Sequence, residues 1–370
     1  MANRIIRLLA LCLAPALAMA QQTASGPITI SGQSNVVIQG LKITSTTGSC
    51  VLIVNSTNIT IQNSDIGPCS GGADANAIKI AGGNGVYVYD NYIHPETLSS
   101  GCCDHEDGIF AHLNPQNVVI QGNIIAYGET NIEVIGGQTI SVIGNFLLNP
   151  RGPFPRGQNF QCGTNCSNIT FENNYTLSSL DTSKYLYPEV QEDSVNLGSV
   201  QGFVVKANYV TGGHSPSGCG VIADSGAESG QFLSNLLLDT GECGIGIASG
   251  GNHVLDSNKV YNSTPVVNGG NVGIYIGSAT NNCDGPITVS NNISDEIGLD
   301  GTSHNGYHAG TCNGVTPALT LINNTFGELA DALLTPVSTV FPTPLIPPEP
   351  KNCVAASPYS TQVGSPACVP

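Results

Sequence analysis

The sequence predicts an all-β protein, a single-stranded right-handed parallel β-helix of about eleven coils. Three observations predict it. A short pattern of alternating apolar residues, two turn residues and an asparagine recurs along the chain. The copies are 22 to 34 residues apart, the internal period of a solenoid. Only 10% of the residues are charged and 45 are glycine, which suits short strands joined by tight turns better than helices or disorder.

Residues 1–20 read as a secretory signal. Arg4 and Arg7 give a basic start, Leu8 to Leu17 is apolar, and Ala18-Met19-Ala20 supplies small residues for cleavage. The apolar run is too short to span a bilayer. The expected location is therefore secreted or periplasmic. The β-helix is assigned to residues 21–335, and residues 336–370 form a Pro-rich tail, since proline removes ladder donors.

The repeat appears as Val86-Tyr-Val-Tyr-Asp-Asn91, Val118-Val-Ile-Gln-Gly-Asn123 and Ile140-Ser-Val-Ile-Gly-Asn145. Further copies centre on Asn174, Asn208, Asn235, Asn258, Asn292 and Asn324, and degenerate copies carry Leu41 and Ser64 at that place. Asparagine tolerates a left-handed backbone and satisfies turn amides. Stacked coils would then align these side chains into a ladder. Each coil should hold three strands, with the repeat spanning the second strand, the turn and the third. First strands are expected near 108–111, 131–135, 159–162, 194–197, 220–223, 244–248 and 273–276. The eight Asn-x-Ser/Thr sites at 55, 58, 165, 168, 174, 262, 292 and 323 then follow from Asn-rich turns beside Thr-rich strands.

Twelve cysteines remain once Cys12 leaves with the signal, an even number that implies disulfides in an exported chain. Cys219 and Cys243 hold equivalent places in successive coils, and strands about 4.8 Å apart lie within reach of a disulfide. Cys283 with Cys312, Cys353 with Cys368 and Cys50 with Cys69 are the other expected pairs. Cys102, Cys103, Cys162 and Cys166 are left unassigned.

Without Arg4 and Arg7, eight basic residues face 26 acidic ones, a net charge of −18. Such a surface repels nucleic acid and anionic membranes, and it disfavours a polyanionic substrate unless a local basic site or a bound cation offsets the field. Function on a rigid scaffold concentrates in its loops, here those entering the first strands. Alternation turns Asn131, Glu133, Asn159, Gln161, Ser194 and Asn196 outward, with Glu192-Asp193 just before the last pair and Asp224 one coil on. The mature chain has two arginines, Arg151 and Arg156, both in one Pro- and Gly-stiffened loop between the Glu133 and Glu192 coils. His105 and Asp107 precede the Glu133 coil, Lys184 and Tyr187 precede Glu192, and His214 precedes Asp224. Tyrosine can stack on sugar rings where tryptophan is absent.

The asparagine-turn repeat resembles that of the pectate-lyase-like superfamily over residues 27 to 330. The resemblance implies a carbohydrate-active β-helix with substrate along the first-strand face. It transfers no catalytic residue: Gly-His-Gly, Arg-x-Lys and Trp-x-Asp-His are all missing.

The first expectation is a polysaccharide lyase that cleaves a uronic-acid glycan by β-elimination. Arg151 or Arg156 would stabilise charge, Lys184 or a histidine would act as base, and Glu192 with Asp193 would hold Ca²⁺. The alternative is an inverting glycoside hydrolase using Glu133 and Glu192, whose backbones should lie roughly 10 Å apart. In both, Asp107, Asn131, Gln161, Asn196, Asp224, His105, His214 and Tyr187 would contact substrate. A non-catalytic glycan-binding or adhesin solenoid is the third possibility.

Overall fold

The computed structural model describes residues 22–327 except 73, 96–105, 153–155, 179–191, 214–217, 263–270, 299–300 and 305. The expected signal and tail, with Cys353 and Cys368, and Cys102, Cys103, His105, Lys184, Tyr187 and His214 fall outside these residues.

The described chain is a parallel β-helix without helices. Strands pair with the equivalent strand of the next coil and build three long sheets. The first and second sheets each contain 11 strands, one per coil, and the third contains 13. Pairing is parallel throughout these stacks, apart from Ser303–His304, which runs antiparallel to Ile293–Ile297. Observed first strands include Ile109–His112, Ile132–Ile135, Phe160–Gly163, Val195–Gly198 and Cys219–Asp224, close to the expected positions.

Period-two alternation fixes the register. Ile30, Ile53, Ile80, Ala111, Val134, Cys162, Leu197, Ala223, Ile247 and Ile276 stack in one continuous buried row inside the first sheet. A one-residue slip would move that whole row to the outside, so the pairing is strongly specified.

The asparagine ladder runs unbroken from Asn91 to Asn324. At each step the backbone N–H and the side-chain amide of one asparagine donate to Oδ1 of the next. For Asn174 and Asn208 the distances are 2.9 and 3.1 Å. The second amide hydrogen of Asn174 reaches back to the Val142 carbonyl at 2.8 Å. Ser64 extends the row with its hydroxyl, which accepts from the Leu41 N–H.

The left-handed residue, however, is the one before the asparagine. Asp90 (φ 52°), Asn173 (φ 55°), Ala207 (φ 53°) and Ser257 (φ 59°) take that conformation, and the ladder asparagines do not. Asparagine is therefore selected for its amide. The buried hydrogen bonds offset the cost of the left-handed neighbour, about 1–2 kcal/mol. Asn174, Asn262 and Asn292 are buried with their amides engaged, so these three sequons offer no surface for a glycan.

Cys219–Cys243, Cys283–Cys312 and Cys50–Cys69 are disulfide-bonded. A further bond joins Cys162 to Cys166 across the turn from a first strand into a second. The cysteines at 219 and 243 are register partners, as their coil alignment requires.

Candidate active site

The outward row of the first sheet places Lys79, Phe110, Glu133, Gln161, Asn196 and Ile222 side by side in successive coils. Alternation predicts this direction correctly, but outward does not mean solvent-exposed. Glu133 is 3% and Asn196 6% exposed.

The arginine loop is fixed at both ends. Arg151 donates from Nε to the Tyr127 carbonyl at 2.7 Å and from Nη2 to Glu106 Oε2 at 3.1 Å. Its backbone N–H bonds the Gly128 carbonyl. Arg151 thus braces the loop against the preceding coil. Arg156 reaches over the first sheet, where Nη1 donates to Glu133 Oε1 and to Gln161 Oε1, each at 2.9 Å. Its carbonyl accepts the Glu192 N–H.

Behind this layer lies a run of buried polar groups, each two or three residues ahead of a first strand. Thr130 donates its N–H to Asp107 Oδ1 and its hydroxyl to Gln158 Oε1. Gln158 in turn donates to Glu192 Oε2 at 3.2 Å. Asp107 is buried, and desolvation followed by the charges of Glu133 and Glu129 pushes its carboxyl well above the ordinary range. Asp193 is also buried. Its Oδ1 accepts the Cys219 N–H and its Oδ2 the Asn196 amide, each at 2.7 Å, and desolvation raises its pKa to about 7.

Glu192 is half-buried. Desolvation and the nearby charge of Asp224 raise its pKa, opposed by the Gln158 hydrogen bond and Arg156. Asp224, partly exposed, ends the first strand of the next coil, and its Oδ1 accepts from the Ser225 N–H.

The structure thus gathers Arg156, Glu133, Gln161 and Glu192 around one point, with Asp224 near enough to act on Glu192 through its charge. Asp107, Asp193 and Asn196 lie underneath as buried supports. Asn131 is corrected outright. It is fully buried, and its amide donates to Asn159 Oδ1 at 2.9 Å in a second ladder that Asn159 continues to Ser194. It has no surface to offer a substrate.

Of the pair expected to hold Ca²⁺, Glu192 accepts from the Gln158 amide, and the two oxygens of Asp193 accept from the Cys219 N–H and the Asn196 amide. Glu129 and Gln158 were not singled out from the sequence. Their offset from the first strand, which matches that of Glu106-Asp107 and Glu192-Asp193, is the signal that finds them.

No family model and no curated protein matches the chain. Among solved structures it is similar to DFA-IIIase from Arthrobacter chlorophenolicus A6 without its lid, at 16% identity over 75% of this chain and 66% of that one, with a TM-score of 0.49. The same enzyme in complex with GF2 gives 16% identity, 75% and 68% coverage, and a TM-score of 0.48. PfbA, a surface adhesin of Streptococcus pneumoniae, gives 14% identity, 82% and 69% coverage, and a TM-score of 0.44. The chain spans about two thirds of the length of these proteins.

Proposed function

We propose that this protein is an exported glycoside hydrolase acting on a neutral or weakly charged polysaccharide, with Glu192 as the proton donor. The observation that carries this reading is the environment of Glu192. It is a half-buried carboxyl whose pKa is raised by desolvation and by a second, partly exposed carboxylate, Asp224. Hydrolysis of a glycosidic bond needs one protonated acid and one ionised partner, held apart by their surroundings. Asp224 takes the ionised role in place of Glu133, which is buried and engaged by Arg156. Arg156 and Gln161 lie where sugar hydroxyls can be hydrogen-bonded, and the Arg156–Glu133 pair keeps that surface rigid.

The charge distribution favours hydrolysis over β-elimination. A lyase must meet a uronate with uncompensated positive charge. Arg151 is paired with Glu106 and Arg156 with Glu133, while Asp224 adds negative charge close to Glu192. A polyanionic chain would be repelled here.

The test is product analysis on a panel of neutral and uronic-acid polysaccharides, with Glu192→Gln as control. New reducing ends without the absorbance of an unsaturated uronide are expected, and the variant should abolish them. An unsaturated product would establish a lyase instead. Binding without any product would make the protein a binding solenoid. Either result overturns the proposal.

A further inference from the structure

The outward rows of the first sheet continue past the candidate site. Beyond Asn196 one row runs through Ile222, Gly246, Tyr275 and His308. The row beside it passes from Gly198 and Asp224 to Ala248 and Gly277. Past Asp224 these positions hold no lysine, arginine or carboxylate. Ile222 and the Cys219–Cys243 disulfide make a small apolar cluster on this outer face, with Ala248 and Tyr275 packed against it. Gly246 keeps the floor low, since a Cβ there would meet Cys219 Sγ at 2.8 Å and Ile222 Cγ1 at 3.0 Å.

Tyr275 does not stand off the sheet. A Cβ on Gly277 would meet its hydroxyl oxygen at 3.0 Å and its Cζ at 3.3 Å, so the phenol lies along its own strand, over the glycine. His308 leans over Gly310 in the same way, with Nε2 3.7 Å from the equivalent point. The two rings are within 8° of parallel with centroids 5.9 Å apart, His308 exposed and Tyr275 partly so. The Tyr275 ring therefore sits on the Asp224 line, two coils further on, about 10 Å away at the usual strand spacing. Asn281, just after the Tyr275 strand Val272–Ser278, donates to the Ala248 carbonyl at 3.2 Å and reaches Asp224 Oδ1 at 3.4 Å. It ties the two ends of this strip into one surface.

We propose that Tyr275 and His308 form a sugar-binding platform, and that the substrate is a neutral glycan chain lying along the solenoid axis, from Asp224 across Ala248 to these rings. The inference rests on the hydrolase reading for the place of the cleaved bond. A sugar ring presents C–H groups on its faces and hydroxyls at its edge, and an aromatic side chain with a polar tip suits that pattern. A run of about 10 Å holds about two sugar rings. A chain that extends that far past the cleaved bond gains the platform, and a disaccharide held at Glu192 and Asp224 does not reach it. The strip carries no fixed charge of its own beyond Asp224, which favours a neutral chain over a polyanion.

The experiment measures binding by titration calorimetry in the full chain carrying Glu192→Gln, so that no substrate is consumed. The probes are neutral hexasaccharides of glucose, xylose, mannose, arabinose and fructose, each with its matching disaccharide. At least one hexasaccharide should bind about tenfold or more tighter than its disaccharide. Adding Tyr275→Ala should remove most of that advantage, while Tyr275→Phe should keep Kd within about twofold. If Tyr275→Ala is not recovered folded, exposed His308→Ala decides, with a loss of about threefold or more expected. No hexasaccharide advantage in the Glu192→Gln chain, or an unchanged one in these added variants, overturns the proposal. Hydrolysis by the parent chain is scored separately. Binding that depends on Tyr275 without hydrolysis leaves the platform standing and removes the catalytic reading. Hydrolysis with hexasaccharide affinity unchanged by Tyr275→Ala removes the platform alone.

Discussion

Arg156 and Glu133 meet at 2.9 Å on the outer face of the first sheet, the carboxylate 3% exposed and the guanidinium at the boundary with solvent. They come from adjacent coils and from different elements, a strand and the loop that leads into the next strand. The pair holds the Arg156 charge on the carboxylate that, through its own charge, raises the buried Asp107.

Arg156→Ala should therefore lower stability by about 2–3 kcal/mol in urea denaturation, because it strands a buried carboxylate. Glu133→Gln added to that background should recover much of the loss, since the double variant no longer buries an unpaired charge. A single variant within ~0.5 kcal/mol of the parent would mean that the pair contributes nothing to the fold.

Glu192 supplies a pH signature. As a proton donor it works only while protonated, so activity should fall as pH rises through its raised pKa. Removing the Asp224 charge lowers that pKa. Asp224→Asn should therefore move the alkaline limb of kcat/KM to lower pH, in addition to any loss of rate. Glu192→Gln should cost about 10²–10⁴ in kcat with the melting temperature unchanged. An alkaline limb that stays in place in Asp224→Asn would remove Asp224 from the pair.

The asparagine ladder makes a sharper test than a core deletion. Asn174→Ala withdraws the acceptor for Asn145 and the donors to Val142 and Asn208, all in a buried row. The expected loss is about 2–4 kcal/mol. Asn174→Asp keeps the acceptor but turns a carboxylate toward two oxygens, so its penalty should grow between pH 4 and pH 8. Equal stability of the aspartate variant at both pH values would show that this position tolerates charge.

Glu296 is fully buried on the third sheet, bonded to the Asn262 amide, with desolvation raising its pKa to about 9. A carboxyl raised on folding favours the folded state fully below its unfolded value near 4.5. That contribution declines as pH rises toward 9 and is gone above it. Glu296→Gln keeps an acceptor for Asn262 and cannot ionise. Its melting temperature should fall less steeply than the parent's between pH 5 and pH 9. Parallel curves would mean that Glu296 ionises without cost.

The turns were legible in the sequence because one side chain performs the same task at every coil. Alternation likewise gave the direction of Glu133, Gln161 and Asn196. Their burial was not legible, because it comes from the Arg156 loop and the segments before each first strand, which lie across the sheet. The coupling of Asp107 to Glu133 joins residues from neighbouring coils, and a strand pattern alone carries no such distance. Asn131 misled for a related reason: its alternation is correct, but it sits at a corner where a second ladder forms. Glu296 escaped notice because its strand lies on a face where no chemistry was sought.

The ladder step from one asparagine to the next is the same whether 22 or 34 residues separate them. Each joint is blind to what its coil does elsewhere. A recombination event that splices any two of these turns restores the same hydrogen bonds and the same stacking of the apolar rows. Whole coils can then be copied or lost as modules, and insertions are diverted into the loops ahead of the first strands. Descendants of this chain can acquire a longer binding face or a new set of loop residues while inheriting the packing unchanged.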